Sequence, residues 1–173
     1  FNGCDWDVIL KDPERKTIVI VAPRILLAQQ LSDDFIHFLD VHPMLQYKVL
    51  HVHSGETHHF STTDHRYLTH WSCSNPQYDK LIFTTYHSLH RVLDSMVNIN
   101  RIYFDEAHNG TSKVFFEQIK RVAKLNIARY FFTATPRISR SKNSISAERG
   151  MNNAEIYGDK LEEIKLLHST TSL

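Results

Sequence analysis

Short apolar runs alternate along this chain with longer segments in which apolar residues recur at helical spacing. The apolar runs cover residues 17–22, 48–52, 81–85, 101–104 and 128–132. Continuous runs of this length, rich in β-branched and aromatic residues, are typical of strands that are buried on both faces of a sheet. Their alternation with helices predicts an α/β fold, in which a mostly parallel sheet is covered by helices on both faces.

Three of the intervening segments carry an apolar stripe that predicts an amphipathic helix. The stripes consist of Ile25, Leu26, Leu31, Phe35, Phe38 and Leu39 after the first strand, of Leu89, Val92, Leu93 and Met96 after the third, and of Phe115, Phe116, Ile119 and Val122 after the fourth. Between the second and third strands, the pattern instead favours a polar loop that begins at Ser54-Gly55.

Two neighbouring strand ends carry polar groups. Asp105 and Glu106 follow the fourth strand, and Thr133 and Thr135 follow the fifth, just before Pro136. In open α/β sheets, ligands bind beyond the carboxyl ends of the strands. A magnesium ion on a phosphate chain takes one or two carboxylates, and phosphoanhydride hydrolysis uses a further group to orient or deprotonate water. A metal-nucleotide site is therefore one interpretation, and a solvated turn with ordinary strand-end capping is the other.

Four motifs in a familiar order connect the chain to a known family. The Asp105-Glu106-Ala107-His108 box, followed after one helix-length segment by Thr133-Ala134-Thr135-Pro136, resembles motifs II and III of superfamily two helicases and translocases. Residues 18–30 resemble motif Ia of that family, and residues 81–89 resemble the strand-to-helix segment that carries its next nucleic-acid contact. The resemblance covers residues 17–136 and implies the RecA-like, ATP-binding first motor domain of a P-loop NTPase.

The resemblance implies a role for each matching residue of the nucleotide site. Asp105 would hold magnesium, usually through water, and Glu106 would act as the general base for the water that attacks the terminal phosphate of ATP. His108 would relay the nucleotide state toward Thr133 and Thr135. A partly buried histidine bonded to backbone, and simple capping by the threonines, are the structural alternatives.

The resemblance also implies a nucleic-acid track that contacts phosphates. Arg24, at the start of a helix, would pair with a backbone phosphate, and Thr84, Thr85 and Ser88 would add hydroxyl and helix amide contacts. Such contacts carry no sequence information, which suits a protein that steps along any strand. For Arg24, a surface salt bridge is the alternative.

The domain organisation departs from the family at both ends. Residues 1–138 are interpreted as a partial helicase ATP-binding domain with motifs Ia to III, and residues 139–173 as a polar loop and the start of a connection toward a second motor domain, with a short helix near 161–167. The chain contains no Gly-x-x-x-x-Gly-Lys-Thr phosphate loop, and Lys16-Thr17 lacks the preceding glycines. We therefore expect an amino-terminal truncation and a missing second motor domain, and an inactive fragment when it is taken alone.

Composition adds limits rather than a function. The 173 residues suffice for one core, and 20 Lys and Arg against 19 Asp and Glu exclude a strongly basic nucleic-acid coat but not a local basic groove. Cys4 and Cys73 form no disulfide framework, and no apolar stretch approaches the length of a membrane span, so a soluble, intracellular protein is expected.

Histidines and aromatic residues cluster in the polar loop region. Six of the 12 histidines lie between His51 and His70. Their spacing matches no closed zinc site, so surface and core histidines are favoured over a metal site. Tyr67 and Trp71 are interpreted as packing residues, although an exposed aromatic ring could stack on a base.

The sequence as a whole predicts a motor-domain segment of an ATP-dependent helicase or translocase that uses ATP and magnesium, with DNA favoured over RNA. Two alternatives remain open. One is a non-catalytic nucleic-acid-binding module derived from such a motor, and the other is the motor subunit of a restriction or remodelling complex.

Overall fold

Six parallel strands form one sheet in the computed structural model, which describes residues 15–42, 46–55, 57, 59–140 and 145–158. The strands are β1 (Thr17–Ala22), β2 (Tyr47–Val52), β3 (Ser61–Thr62), β4 (Asp79–Thr85), β5 (Arg101–Phe104) and β6 (Ala128–Phe131). They lie in the order β3-β2-β4-β1-β5-β6, and every neighbouring pair is parallel. The predicted fold class, a RecA-like α/β layer, is confirmed.

Helices cover both faces of this sheet. The helices are α1 (Ile25–Asp40), α2 (His65–Ser74), α3 (Leu89–Asp94), α4 (Lys113–Lys124) and α5 (Ala154–Tyr157), with a 3₁₀ helix at Ala107–Thr111. On one face, alternate strand residues pack against Phe35 and Leu39 of α1. On the other face, the remaining strand residues form the larger core together with α2, α3, α4 and α5. Because both faces are covered, all six residues of β1 are buried, which explains its apolar run from Ile18 to Ala22.

The register brings the carboxyl ends of the strands to one edge of the sheet, called here the carboxyl edge. Ala22 at the end of β1 lies opposite Thr85 at the end of β4, and Phe104 at the end of β5 lies opposite Phe131 at the end of β6. Val52 at the end of β2 lies beside Thr62 at the end of β3. The segments that follow the strands therefore form one continuous row.

Some predicted packing positions differ from the structure. Leu26 is 77% exposed and Met96 is 87% exposed. Leu26 lies in the first turn of α1 on the side away from the sheet, and Met96 lies beyond the end of α3 at Asp94. Both residues fit an apolar periodicity by chance, because a stripe of spaced leucines and methionines does not show where a helix ends or which flank it turns to solvent.

The polar region between β2 and β4 contains two elements that the sequence pattern did not predict, β3 and α2. In α2, Leu68 is the one residue classed as buried, and β3 has only two residues. Such elements carry too little apolar periodicity to be recognised. The helix predicted near residues 161–167 lies outside the described residues. Within the described part of the chain, no helix is both long and apolar enough to cross a bilayer.

Candidate nucleotide and nucleic-acid site

A tightly fastened turn carries the two acids at the end of β5. The Asp105 backbone N–H donates to the Val21 carbonyl of β1 at 2.9 Å, and the Ala107 N–H donates to the Phe132 carbonyl at 2.8 Å. Between them, Glu106 adopts a left-handed backbone conformation with φ 45° and ψ 55°. This region is uncommon for residues other than glycine and is held only when the surroundings determine it. Anchors to strands on both sides therefore set the position of the acidic pair.

Burial and charge make Asp105 a candidate cation ligand. Asp105 is partly buried and Glu106 is exposed. Burial raises the pKa of the Asp105 carboxyl, and the neighbouring Glu106 charge adds to that rise, while a hydrogen bond from the Glu106 backbone opposes it. No basic side chain among the described residues is paired with either acid. A carboxylate in this setting is stabilised by a nearby cation, and oxygen ligands are those that magnesium takes, so the residues present fit a magnesium ion.

Tyr86 helps to position the Asp105 turn through its hydroxyl group, a role that the sequence pattern did not reveal. Its hydroxyl donates to the Asp105 carbonyl at 2.9 Å. The Tyr86 side chain is almost completely buried, and burial together with the Asp105 charge raises the pKa of its hydroxyl. It therefore remains a neutral donor. Tyr86 lies within residues 81–89, which resemble a family motif, but the sequence did not predict its contact with Asp105.

The structure brings His108 together with the two threonines that follow β6. His108 Nδ1 lies 2.9 Å from the Thr133 hydroxyl oxygen and 3.2 Å from that of Thr135. The Thr135 backbone N–H also donates to the Thr133 hydroxyl at 3.1 Å. A single ring nitrogen can form only one strong hydrogen bond at a time, so the two hydroxyls compete for it. The three residues join the turn after β5 to the turn after β6.

The residues expected to contact nucleic acid lie at the ends of β1 and β4. Arg24 is exposed and extended at the start of α1, where its carbonyl accepts the Ala28 N–H at 3.0 Å. Thr85 and Ser88 are largely buried, with the Ser88 N–H donating to the Thr85 carbonyl at 3.1 Å. The exposed group between them is His87, a residue without an expected role, whose ring packs edge-on against Phe115.

Thr84 does not suit the role expected for it. The residue is completely buried, and its hydroxyl donates to the Val52 carbonyl of β2 at 2.8 Å. The hydroxyl therefore joins two strands inside the sheet and presents no surface to a phosphate. The expected phosphate contact of Thr84 is therefore corrected to a structural role. Only the direction of its side chain in the folded structure could show this.

Three histidines of the predicted loop region, His51, His53 and His59, pack against one another. His51 is buried, its Nε2 lies 2.9 Å from the Ser32 hydroxyl oxygen, and its ring stacks on that of His59. His59 in turn lies 2.8 Å from an Asp33 carboxylate oxygen. Burial lowers the pKa of His53. Among the described residues, no group of three histidine, cysteine or acidic side chains is arranged to hold a metal ion.

Known proteins share this family and this fold. Residues 6–138 match the family described as type III restriction enzyme, res subunit. Solved structures with a similar fold include two type ISP restriction-modification enzymes. A nuclease-deletion mutant of the type ISP restriction-modification enzyme LlaGI, in complex with a DNA substrate mimic, has a TM-score of 0.63 and 20% identity over 88% of this chain. The ATP-dependent type ISP restriction-modification enzyme LlaBIII, bound to DNA, has a TM-score of 0.64 and 19% identity over 89% of this chain.

The match to these enzymes is partial in length. This chain spans 13% of the LlaGI chain and 12% of the LlaBIII chain. Comparison with curated protein sequences gave no match. Because the family match extends over most of the chain and the fold agrees with it, the chain belongs to the family of type III restriction enzyme res subunits, as a segment of the first RecA-like motor domain of superfamily two.

Proposed function

We propose that this chain supplies the catalytic acids of an ATP-hydrolysing motor that moves along DNA within a restriction-type enzyme. One arrangement carries the proposal: an acidic pair at the end of β5 whose turn is joined, through His108, to Thr133 and Thr135 after β6. Family membership supports a helicase-like motor of the restriction type. ATP and DNA come from the relatives, since LlaBIII is ATP-dependent and bound to DNA.

Asp105 and Glu106 take different parts in this proposal. Asp105, partly buried with a raised pKa, would hold the magnesium ion through water. When bound, magnesium ATP supplies the phosphoanhydride bond and a charge that screens the phosphates. Glu106 is exposed, and its carboxylate would accept the proton of the water that attacks the terminal phosphate. The fastened left-handed turn would keep the base in place relative to the ion ligand.

His108 and the two threonines would couple hydrolysis to movement. The His108 Nδ1 lies within hydrogen-bond distance of both threonine hydroxyls, so a small displacement of the turn would change which hydroxyl it contacts. The threonines precede the segment that leaves the sheet at residues 136–140, so an exchange of partners would reorient that segment. The energy difference involved is that of a single hydrogen bond, about 1 kcal/mol.

DNA would cross the carboxyl edge beside the nucleotide site. Arg24 would contact a phosphate from the start of α1, and Thr85 and Ser88 would contribute from the end of β4. Since β1 lies between β4 and β5, these groups are adjacent to the acidic turn. Phosphate contacts of this kind do not depend on base sequence, which a stepping motor requires.

A second function stays open beside the motor. The 173 residues contain no Gly-x-x-x-x-Gly-Lys-Ser/Thr phosphate loop, which such motors use to cradle the phosphates. A polypeptide without that loop would be a nucleic-acid-binding module with no turnover. In-frame sequence upstream of the Phe1 codon separates the two functions, since a phosphate loop there is expected for the motor and its absence for the binding module.

Glu106→Gln in the intact protein tests the assignment of the base. The amide keeps the shape of the side chain but cannot accept the proton, so ATP binding should persist while turnover falls by about 10²- to 10⁴-fold. Glu117→Gln, an exposed change on α4, is the matched control and should leave turnover unchanged. ATP hydrolysis by Glu106→Gln at the parental rate would exclude Glu106 as the base.

A separate pair of assays distinguishes translocation from unwinding. Displacement of a DNA triplex without separation of duplex strands would identify translocation, and strand separation would identify a helicase.

A further inference from the structure

Two aromatic side chains lie in contact with each other on the surface, next to the edge strand β3. Phe60 is 64% exposed and Tyr67 is 40% exposed. Their ring centroids lie 5.4 Å apart, with the ring planes inclined at 51°. Tyr67 is therefore not the packing residue that its sequence setting suggested, whereas Trp71 of the same helix does pack against the core. An exposed pair of aromatic rings costs hydration free energy unless a partner covers it.

This aromatic pair stands at the far end of the carboxyl edge. β3 pairs with the last residues of β2, so α2 begins at the carboxyl edge and Tyr67 lies in its first turn. The Arg91 guanidinium donates to the Thr63 carbonyl at 2.9 Å and fastens this corner to α3. The sheet order places β3 two strands from β4, a separation of about 10 Å at the usual strand spacing.

The helix that carries Tyr67 contains no acidic residue that would repel a polyanion. Residues 65–74 of α2 include Arg66 and two exposed histidines, His65 and His70, and contain no Asp or Glu. Arg66 is exposed, and within the described part of the chain it forms no ion pair. The nearby carboxylate is Asp64, which caps the helix by accepting the Arg66 backbone N–H at 2.9 Å. Arg66 therefore places an exposed guanidinium in the same helical turn as Tyr67.

We propose that Phe60 and Tyr67 form a stacking platform for the bases of single-stranded nucleic acid, with Arg66 as its phosphate contact. The inference rests on the proposed function, because the strand that it binds is the one that crosses the carboxyl edge beside Thr85 and Ser88. A span of about 10 Å corresponds to about three nucleotides at about 3.4 Å each. Bases stack on aromatic rings regardless of their identity, so the platform adds affinity without making the motor sequence-specific.

A base-stacking partner explains this surface better than an apolar protein partner. The exposed apolar group consists of two rings, and Arg66 precedes one of them in the chain. Aromatic rings with a nearby basic residue are the combination that holds unpaired bases. A protein docking site of useful affinity needs a larger buried area than two side chains provide. The platform therefore predicts a preference for strands that carry bases over strands of the same charge without them.

The test measures binding of the intact protein to two fluorescent strands of equal length, oligo-dT and a base-free phosphodiester chain. The parent should bind oligo-dT more tightly. Phe60→Leu and Tyr67→Leu, which keep an apolar side chain but remove the ring, should each weaken oligo-dT binding about fivefold or more while leaving the base-free strand unchanged. Arg66→Gln should weaken both strands and reduce the salt dependence of binding by about one released ion.

Controls and outcomes separate this proposal from the motor assignment. Leu125→Ala, a 55% exposed position at the end of α4, should change neither strand, and Phe60→Trp should retain the preference for bases. Equal binding of the two strands by the parent, or unchanged oligo-dT binding by both leucine variants, would overturn the platform while leaving the motor intact. A parent that binds neither strand and shows no DNA-stimulated ATP hydrolysis would overturn both. Leucine variants that bind oligo-dT normally but lose a protein partner would make the surface a protein interface.

Discussion

Gly110→Ala should destabilise the protein, and Ile119→Val should relieve much of that loss. A Cβ added at Gly110, in the 3₁₀ helix that follows the acidic turn, would lie 2.0 Å from Ile119 Cδ1 and 3.5 Å from its Cγ1. Tyr86 Cε1 would lie 3.7 Å away, at ordinary contact distance. The conflict is therefore with one methyl group at the end of a completely buried side chain. Glycine is needed here for space against α4.

The magnitudes follow from these contacts. Overpacking of a well-filled core costs about 1–3 kcal/mol, since the Ile119 side chain must leave its rotamer or displace its neighbours. Ile119→Val alone removes the Cδ1 methyl and should cost about 0.5–1.5 kcal/mol. In the double variant, the alanine methyl occupies the space that Cδ1 vacates and meets Cγ1 at an acceptable distance. The two changes should therefore be non-additive by about 1–2 kcal/mol in the favourable direction.

Urea unfolding of the parent, the two single variants and the double variant measures this coupling. With the urea dependence usual for small proteins, a loss of 1–3 kcal/mol moves the midpoint by roughly 1 M. Gly158→Ala is the control, because that glycine has φ 82° with no atom within 4 Å of an added Cβ. Its cost comes from backbone strain and should not respond to Ile119→Val. Additive losses in the Gly110 cycle, or a Gly110→Ala protein as stable as the parent, would refute the steric account.

Three further changes test other contacts. Burial lowers the pKa of His53, so its contribution to stability is complete above the unfolded pKa of about 6.5 and is lost as the pH falls toward the folded value. His53→Gln should therefore weaken the pH dependence of the urea midpoint between about pH 7.5 and 5.5. An unchanged pH dependence would exclude His53 as its source. Arg129 Nε donates to the Ile156 carbonyl at 2.7 Å, so Arg129→Ala should cost about 1.5–3 kcal/mol and speed amide exchange in α5, whereas unchanged exchange would show that α5 is held by packing alone. Thr133→Val removes one hydroxyl hydrogen bond to His108 and should reduce DNA-stimulated ATP turnover about tenfold, with less effect on basal turnover. Equal effects on both rates would argue against a coupling role.

The buried strands and their polar ends could be predicted from the sequence. β1 and β5 occupy the predicted residues, and β2, β4 and β6 begin or end within one or two residues of the predictions. A strand covered on both faces is apolar at most positions, so its composition distinguishes it. The pairing of His108 with Thr133 was implied by family resemblance rather than by the apolar pattern, and the side chains do lie in contact.

The periphery of the sheet could not be predicted in this way. α2 packs mainly through Leu68 and Trp71, so most of its residues are polar and show no clear periodicity. Tyr67 lies on the helix that follows the edge strand β3, and its side chain is partly exposed there. Sequence pattern reports what a residue is compatible with, and an edge position is compatible with either burial or exposure.

By itself, the sequence determined a parallel α/β sheet and the identity of the residues that end its strands. Only the tertiary structure decided which of those residues are available for chemistry. Thr84 and Thr85 are adjacent in sequence and equally polar, yet the Thr84 hydroxyl donates a hydrogen bond to the Val52 carbonyl in the neighbouring strand. The acidic turn obtains its geometry from Val21 and Phe132, which lie 84 residues before and 27 residues after Asp105 in the chain. Composition and spacing record local preferences, whereas side-chain direction and the partners of a backbone turn depend on strands that meet only after the sheet has formed.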